Sequence, residues 1–228
     1  MTKAVFVTGT DTEVGKTLVS CGLIAALQAH YSVVNGYKPI AAGASYQQHG
    51  LVNDDALALM QASSVDLNYQ QVNPVVFEPP IAPHIAAHYA RQSIDLELIS
   101  QGLAELRAQS DCVLVEGAGG WHVPLTEQQT LSQWVAEQAL PVILVVGVKL
   151  GCLNHALLTA EAIAASGTKL IGWVANNLAE ETEVSAQNVN YLKQAIAAPC
   201  IGEVPYLTDL NNFSLKDCFN INKFINQM

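Results

Sequence analysis

The chain has 228 residues, half of them hydrophobic and 13% charged, with a formal net charge of −10. That balance suits a globular protein with one large core and excludes a disordered chain. It also argues against non-specific nucleic-acid binding, which needs a basic surface, while a few local cations could still hold a phosphate ligand.

Residues 4–7 are apolar, but a polar, acidic stretch at 8–13 follows at once, so no secretory signal is read there. The run 140–148 is interrupted by Pro141 and Gly147 and is too short for a membrane helix. Cys21, Cys112, Cys152, Cys200 and Cys218 are odd in number and lack a C-x-x-C pair. They read as thiols of a reducing compartment, so a cytoplasmic protein is expected.

Strand-like and helical patterns follow one another along the chain. Strands are expected at 4–8, 33–38, 112–116, 142–147, 169–175 and 200–204. Helices are expected at 16–29, 54–61, 96–109, 131–138, 153–165 and 184–197. Several of the strands are nearly continuous in Val, Ile and Leu, the pattern of a sheet covered on both faces. The alternation predicts a three-layer α/β/α fold with a mostly parallel central sheet, in one domain over 1–228.

Two regions break the rhythm. Residues 41–53 read as a loop. Residues 73–84 carry Pro74, Pro79, Pro80 and Pro83, too many for a regular element. Loops of this length inside a compact domain are commonly functional. His84 could line a site there or lie on the surface, and the tail 208–228 has no clear pattern.

The strongest motif runs from Gly9 through Thr10, Asp11, Thr12, Glu13, Val14 and Gly15 to Lys16 and Thr17. It leaves a strand and enters a helix, the setting of a phosphate-binding loop. Its spacer is one residue longer than the common form. Backbone amides and the helix N-terminus would cradle phosphates, Lys16 would reach the outer ones, and the Thr17 hydroxyl could hold Mg²⁺. The fold is therefore P-loop NTPase-like, and ATP and Mg²⁺ are the expected cofactors.

Glu116 ends the strand 112–116 and precedes Gly117, Ala118, Gly119 and Gly120. A carboxylate at the carboxyl end of a buried strand suits a magnesium ligand. Asp54 and Asp55 begin a helical pattern, and on local chemistry they read first as N-cap residues. Lys38 ends a strand before Pro39 and could face the phosphates, although an ordinary surface lysine fits the local pattern equally well. Trp121 and Trp173 read as packing residues.

Together, the segments 6–17, 36–39, 115–121, 145–152 and 172–176 resemble the dethiobiotin synthetase family in order and spacing. The similarity runs over about residues 2–207, and the longer phosphate-loop spacer is that family's own form. The resemblance implies an ATP-dependent ring closure in biotin synthesis. The substrate 7,8-diaminononanoate would take up CO₂ as a carbamate, ATP would phosphorylate it, and the second amine would close a cyclic urea.

The resemblance also implies roles. Lys38 and Lys16 would act on the reacting groups, with Thr12 and Glu13 beside the carbamate and phosphates. Thr17, Asp55 and Glu116 match the magnesium ligands. The nucleotide would be held by Glu13, Val14, Gly15, Lys16, Thr17 and Leu18, with Gly117, Ala118 and Gly119 close by. Asn176 matches the adenine-reading position beside Asn177, and Pro205, Tyr206 and Leu207 match a purine loop. The diamine would meet Lys38, Ala42 and Gly119, with its carboxylate at Gly151, Cys152, Leu153 and Asn154. A homodimer with the substrate site at the interface is implied.

Two positions depart from the family pattern. Ala42 stands where a substrate-contacting serine is usual, and Asn188 stands where the neighbouring subunit supplies a tyrosine, with Tyr191 one helical turn away. Both touch the diamine pocket, and a less efficient or altered-specificity member is the corresponding expectation. A partitioning-type ATPase switch is the competing reading, but that class carries an early loop lysine where this chain has Thr10 and Asp11. A retired nucleotide-binding module is a third, opposed by Lys16, Lys38 and Glu116.

Overall fold

The computed structural model describes residues 3–48, 50–208 and 213–227. Six parallel strands form the central sheet: β1 (Lys3–Gly9), β2 (Val34–Tyr37), β7 (Cys112–Glu116), β8 (Val142–Val148), β9 (Leu170–Asn177) and β10 (Cys200–Val204). Their order is β10-β9-β8-β1-β7-β2, and all six correspond to the strands expected from the sequence.

Alternation along a strand explains the layers. On β8, Ile143 and Val145 enter the larger core, whereas Leu144, Val146 and Val148 enter a second core. Successive side chains point to opposite faces, so both faces are covered, and the apolar run has no polar side to show. Over the second core lie α7 (Cys152–Ala165) and α8 (Glu183–Ala195). The larger core is shared by α1 (Lys16–Leu27), α2 (Asp54–Ala62), α5 (Leu96–Ala108) and α6 (Leu131–Glu137). Among the described residues no helix is long and apolar enough to cross a membrane.

The segment 38–90 departs from the sequence reading. The expected loop 41–53 holds the end of β3 (Ile40–Ala42) and a hairpin of β4 (Ser45–Gln47) and β5 (Gly50–Val52). The proline-rich stretch 73–84 contains β6 (Val75–Phe77), which pairs in parallel with β3. Two helices went unread, α3 (Tyr69–Val72) and α4 (Pro83–Ala90). Pro83 occupies the first turn of α4, where its missing N–H costs nothing. Prolines here bound elements and do not abolish them.

The tail is also structured. A 3-10 turn (Leu215–Cys218) precedes α9 (Ile221–Ile225), and Phe219, Ile221 and Phe224 are buried. Part of the expected patternless tail, residues 209–212 and Met228, lies outside the described residues.

Candidate active site

β1 occupies the middle of the sheet, so the loop that follows it emerges between the carboxyl ends of β7 and β8. Within that loop Glu13 and Gly15 take left-handed backbone, with φ of 60° and 85°, which turns successive amides toward one side. No side chain caps the start of α1, and its first turn has no acidic residue. Its free N–H groups and positive dipole end therefore remain available to an anion. Asn176 braces the loop from β9, its Nδ2 donating to the Val14 carbonyl at 2.9 Å. Lys16 arches over the loop, with Nζ donating to the Asp11 carbonyl at 3.1 Å. Burial and then the neighbouring Lys38 charge pull the Lys16 ammonium down to about 8.

Lys38 lies just beyond the end of β2 and Glu116 at the end of β7, two strands adjacent in the sheet. Lys38 is 3% exposed, which rejects the surface-lysine alternative, and Glu116 is fully buried. Lys38 Nζ donates to Glu116 Oε1 at 2.6 Å, to Asp55 Oδ2 at 3.0 Å and to the Gly117 carbonyl at 3.0 Å. Burial alone would depress this ammonium, but Glu116 and Asp55 outweigh it and raise its affinity for protons. For Asp55 burial works upward, but the Lys38 charge, hydrogen bonds from Thr17 and Lys38 and the Lys16 charge together outweigh it, so its carboxyl is held below the usual value. Asp55 is not the helix cap that local chemistry suggested. Asn53 caps α2, accepting from the Ala56 N–H at 3.3 Å, and Asp54 and Asp55 fill the first turn.

Thr17 at the start of α1 donates its hydroxyl to Glu116 Oε1 at 2.9 Å. Glu116 Oε2 is buried without a partner, which leaves one hard oxygen unspent beside a hydroxyl and a second carboxylate. Such a donor set suits Mg²⁺ that arrives with a nucleotide and keeps its remaining ligands as phosphate oxygens and water. Among the described residues no group of three or more His, Cys, Asp or Glu is placed to hold a metal.

A cavity of about 730 Å³ opens beside this centre. Of the residues expected in the site it brings together Thr12, Glu13, Gly15, Lys16, Thr17, Lys38, Ala42, Asp55, Ala118 and Gly119. Its far wall is Pro80, Ile81, Ala82 and Pro83, with His122 and Val123. His84 is not part of that lining. Asn176, Asn177 and residues 205–207 do not line it either. They lie at the ends of β9 and β10, on the other side of the phosphate loop. Gly151, Cys152, Leu153 and Asn154 start α7 and also stand outside the cavity. Lys149 ties that region to the loop through an ion pair with Asp11 at 3.1 Å.

Comparison with known proteins decides the family. A family model described as an AAA domain matches residues 3–214. The ATP-dependent dethiobiotin synthetase BioD of Photobacterium profundum is 49% identical over 212 residues, covering 93% of this chain and 96% of its own length. The enzyme of that name, BioD 1, from Escherichia coli O157:H7 is 50% identical over 209 residues, covering 92% and 93%. The chain belongs to the dethiobiotin synthetase family. The ParA family ATPase of Chlorobium tepidum superposes with a TM-score of 0.54 over 100% of this chain and 95% of that one, at 12% identity. That likeness establishes the P-loop α/β fold and nothing further.

Two polar residues, Asn73 and Asn53, join the central sheet to the wing formed by β3 to β6 and the 80–83 wall, and both escaped the sequence reading. Asn73 is 1% exposed and its Nδ2 donates to the Lys38 carbonyl at 2.7 Å and to the Val75 carbonyl at 3.0 Å. Its Oδ1 accepts from the Tyr69 hydroxyl at 2.7 Å. Asn73 thereby fixes the backbone on which Lys38 sits. Nothing in its local sequence marks it, whereas Asn53, ahead of a helical pattern, carried a cap signal that was passed over for the two aspartates.

Proposed function

We infer that this chain is an ATP-dependent dethiobiotin synthetase, closing the cyclic urea of dethiobiotin from 7,8-diaminononanoate, CO₂ and ATP within a single catalytic domain. The observation that carries the reading is the buried Lys38 at a strand end, held by Glu116 and Asp55 beside a phosphate loop and open to one cavity.

The reaction asks for two anions to approach one another. One amine of the substrate adds to CO₂ and loses a proton to give a carbamate. A carbamate oxygen then attacks the γ-phosphorus, and ADP departs. Finally the second amine attacks the carbonyl carbon, gives up a proton to water or the departing phosphate, and expels that phosphate. Both nucleophiles belong to the substrate, so the protein's task is positioning and charge stabilisation. Lys38 and Lys16 offset the negative charge that builds between carbamate and γ-phosphate, and the amides at 13–17 hold the transferring group. Thr17, Asp55 and Glu116 would hold Mg²⁺, which when bound neutralises phosphate charge. Thr12 and Glu13 line the same space as Lys38, which supports their placement beside the carbamate. Asn176, Asn177 and the 205–207 segment flank the loop on the purine side.

The start of α7, expected at the substrate carboxylate, is separated from the cavity within one chain. We propose that a second copy completes the pocket. Support comes from exposed apolar side chains before and on α7 and on α8: Leu150, in the turn before α7, is fully exposed, and Leu158, Val184 and Tyr191 stand open. Tyr191 would then take the place the family gives to the residue at Asn188.

The test is phosphate release with Mg-ATP and bicarbonate, with and without 7,8-diaminononanoate, and mass detection of the cyclic urea. Diamine-dependent turnover that Lys38→Gln abolishes supports the synthetase. ATP turnover indifferent to the diamine points to a nucleotide switch.

A further inference from the structure

The tail after the purine side of the site has no role in the reaction as described, yet it is packed against both elements that approach the nucleotide. β10 is the last strand of the sheet, and an edge strand leaves backbone groups open. The tail covers them. The Asn220 N–H donates to the Ile201 carbonyl at 2.8 Å, and Gly202 and Phe219 form an antiparallel bridge.

Phe219 does more than close the edge. Its ring sits between two glycines on separate elements, Gly22 of α1 and Gly202 of β10. A Cβ on Gly22 would fall 2.7 Å from Phe219 Cε2, and one on Gly202 would fall 2.6 Å from Cδ1. Both backbones have therefore come as close to the ring as sterics allow, and the ring sets their separation.

The two elements serve opposite ends of ATP. Gly22 lies six residues beyond Lys16, about 9 Å along the helix that opens the phosphate site. Gly202 lies three residues before Pro205, about 10 Å along the strand that leads to the purine side. We propose that Phe219 is a positioning residue for ATP: by spacing α1 from β10 it holds the purine-facing segment 205–207 in register with the phosphate loop. This rests on the reading of 205–207 as the purine side. The phosphate loop has braces of its own, Asn176 to Val14 and the Thr10 N–H to the Val145 carbonyl at 2.9 Å. Loss of the ring consequently releases the purine end and spares the phosphate end.

Calorimetry with Mg-ATP and with Mg-tripolyphosphate, alongside steady-state kinetics, separates these effects. Phe219→Ala raises Kd and KM for ATP about tenfold, since small misplacements weaken a two-point grip. Tripolyphosphate affinity, KM for the diamine and kcat at saturating ATP stay within about twofold, and Phe219→Leu recovers most of the ATP affinity. Should Phe219→Ala fail to fold, Gly22→Ala displaces the ring with a better helix former and carries the same signature. A lowered melting temperature with ATP affinity unchanged overturns the proposal, as does equal loss of ATP and tripolyphosphate. Leu207→Ala tests the underlying reading. If it leaves the preference for ATP over tripolyphosphate intact, the purine-side assignment falls and the proposal with it. If it weakens ATP while Phe219→Ala does not, only the role of Phe219 is lost.

Discussion

The two ends of the cavity are built in different ways. The end holding Lys38, Glu116 and Thr17 stands on the carboxyl edge of the central sheet, where each side chain comes from the end of a buried strand or the start of α1. The opposite end, with Ala41, Ala42 and residues 80–83, stands on the three-residue strand β3, the turn after β6 and the first residue of α4. The first places charges in a dry and rigid frame, where they act strongly. The second offers mostly small and apolar contacts from a short frame outside the central sheet, held by the β3–β6 pairing and by the Gly43 and Ala44 N–H groups donating to the Pro79 and Phe77 carbonyls, each at 3.1 Å. Charge chemistry is thus fixed by the sheet, and the shape of the substrate space is left to the wing.

The largest effect should come from breaking the sheet-borne charge centre. Lys38→Gln leaves Glu116 buried without its cation, which costs about 3–5 kcal/mol of stability. It also removes a positive charge from the reacting anions, so diamine-dependent phosphate release should fall about a hundredfold to a thousandfold. Urea denaturation and single-turnover phosphate release measure the two losses. Turnover within tenfold of the parent protein would mean that the buried ammonium serves packing and not chemistry.

Asn73 joins the two ends, and its loss should sharpen the contrast. Asn73→Ala takes a donor from the buried Lys38 carbonyl and the half-buried Val75 carbonyl and leaves the Tyr69 hydroxyl only its bond from the Asn53 N–H, at a cost of about 2–3 kcal/mol. Because β6 and the 80–83 wall follow directly, KM for the diamine should rise more than KM for ATP. Equal increases would show that the wing is no softer than the sheet.

Dryness of the sheet can be read from Cys112, which begins the strand that ends in Glu116. Burial pushes its thiol up to about 12. Below the ordinary value near 9 the thiol is neutral in both folded and unfolded chains, so its contribution is then complete. As pH rises from 9 toward 12, only the unfolded chain gives up the proton, and stability falls by about 1.4 kcal/mol per unit. Cys112→Ala should make the alkaline limb of a stability–pH curve shallower. An unchanged slope would place water at the start of β7.

Legibility in the sequence followed the same division. The six sheet strands were visible because a strand buried on both faces needs a continuous apolar run, and β3 to β6 were invisible because three residues show no period. Glu116 was readable from its strand and the glycines after it. Lys38 was undecided locally, since only the partners brought by β7 and α2 distinguish it from a surface lysine. Local chemistry alone offered Asp55 as a cap, because capping is a local rule, and only the family resemblance set it among the magnesium ligands; its pairing with Lys38 is a tertiary fact. Phe219 left no signal, for its meaning lies in two distant glycines.

The smallest expected effect probes the wing alone. Ala42 lines the cavity and is half-buried, on a strand whose neighbour residues are apolar. Ala42→Ser adds one hydroxyl within reach of the diamine space and removes nothing. A single neutral hydrogen bond contributes about 0.5–1.5 kcal/mol, so KM for the diamine should fall about threefold to tenfold. KM for ATP should not move, because the phosphate grip is carried by α1 and the loop before it. Steady-state kinetics with each substrate varied in turn checks both statements. No change in the diamine KM would mean that Ala42 does not set diamine affinity, and a change in ATP affinity would mean that the two ends are coupled more tightly than their separate scaffolds suggest.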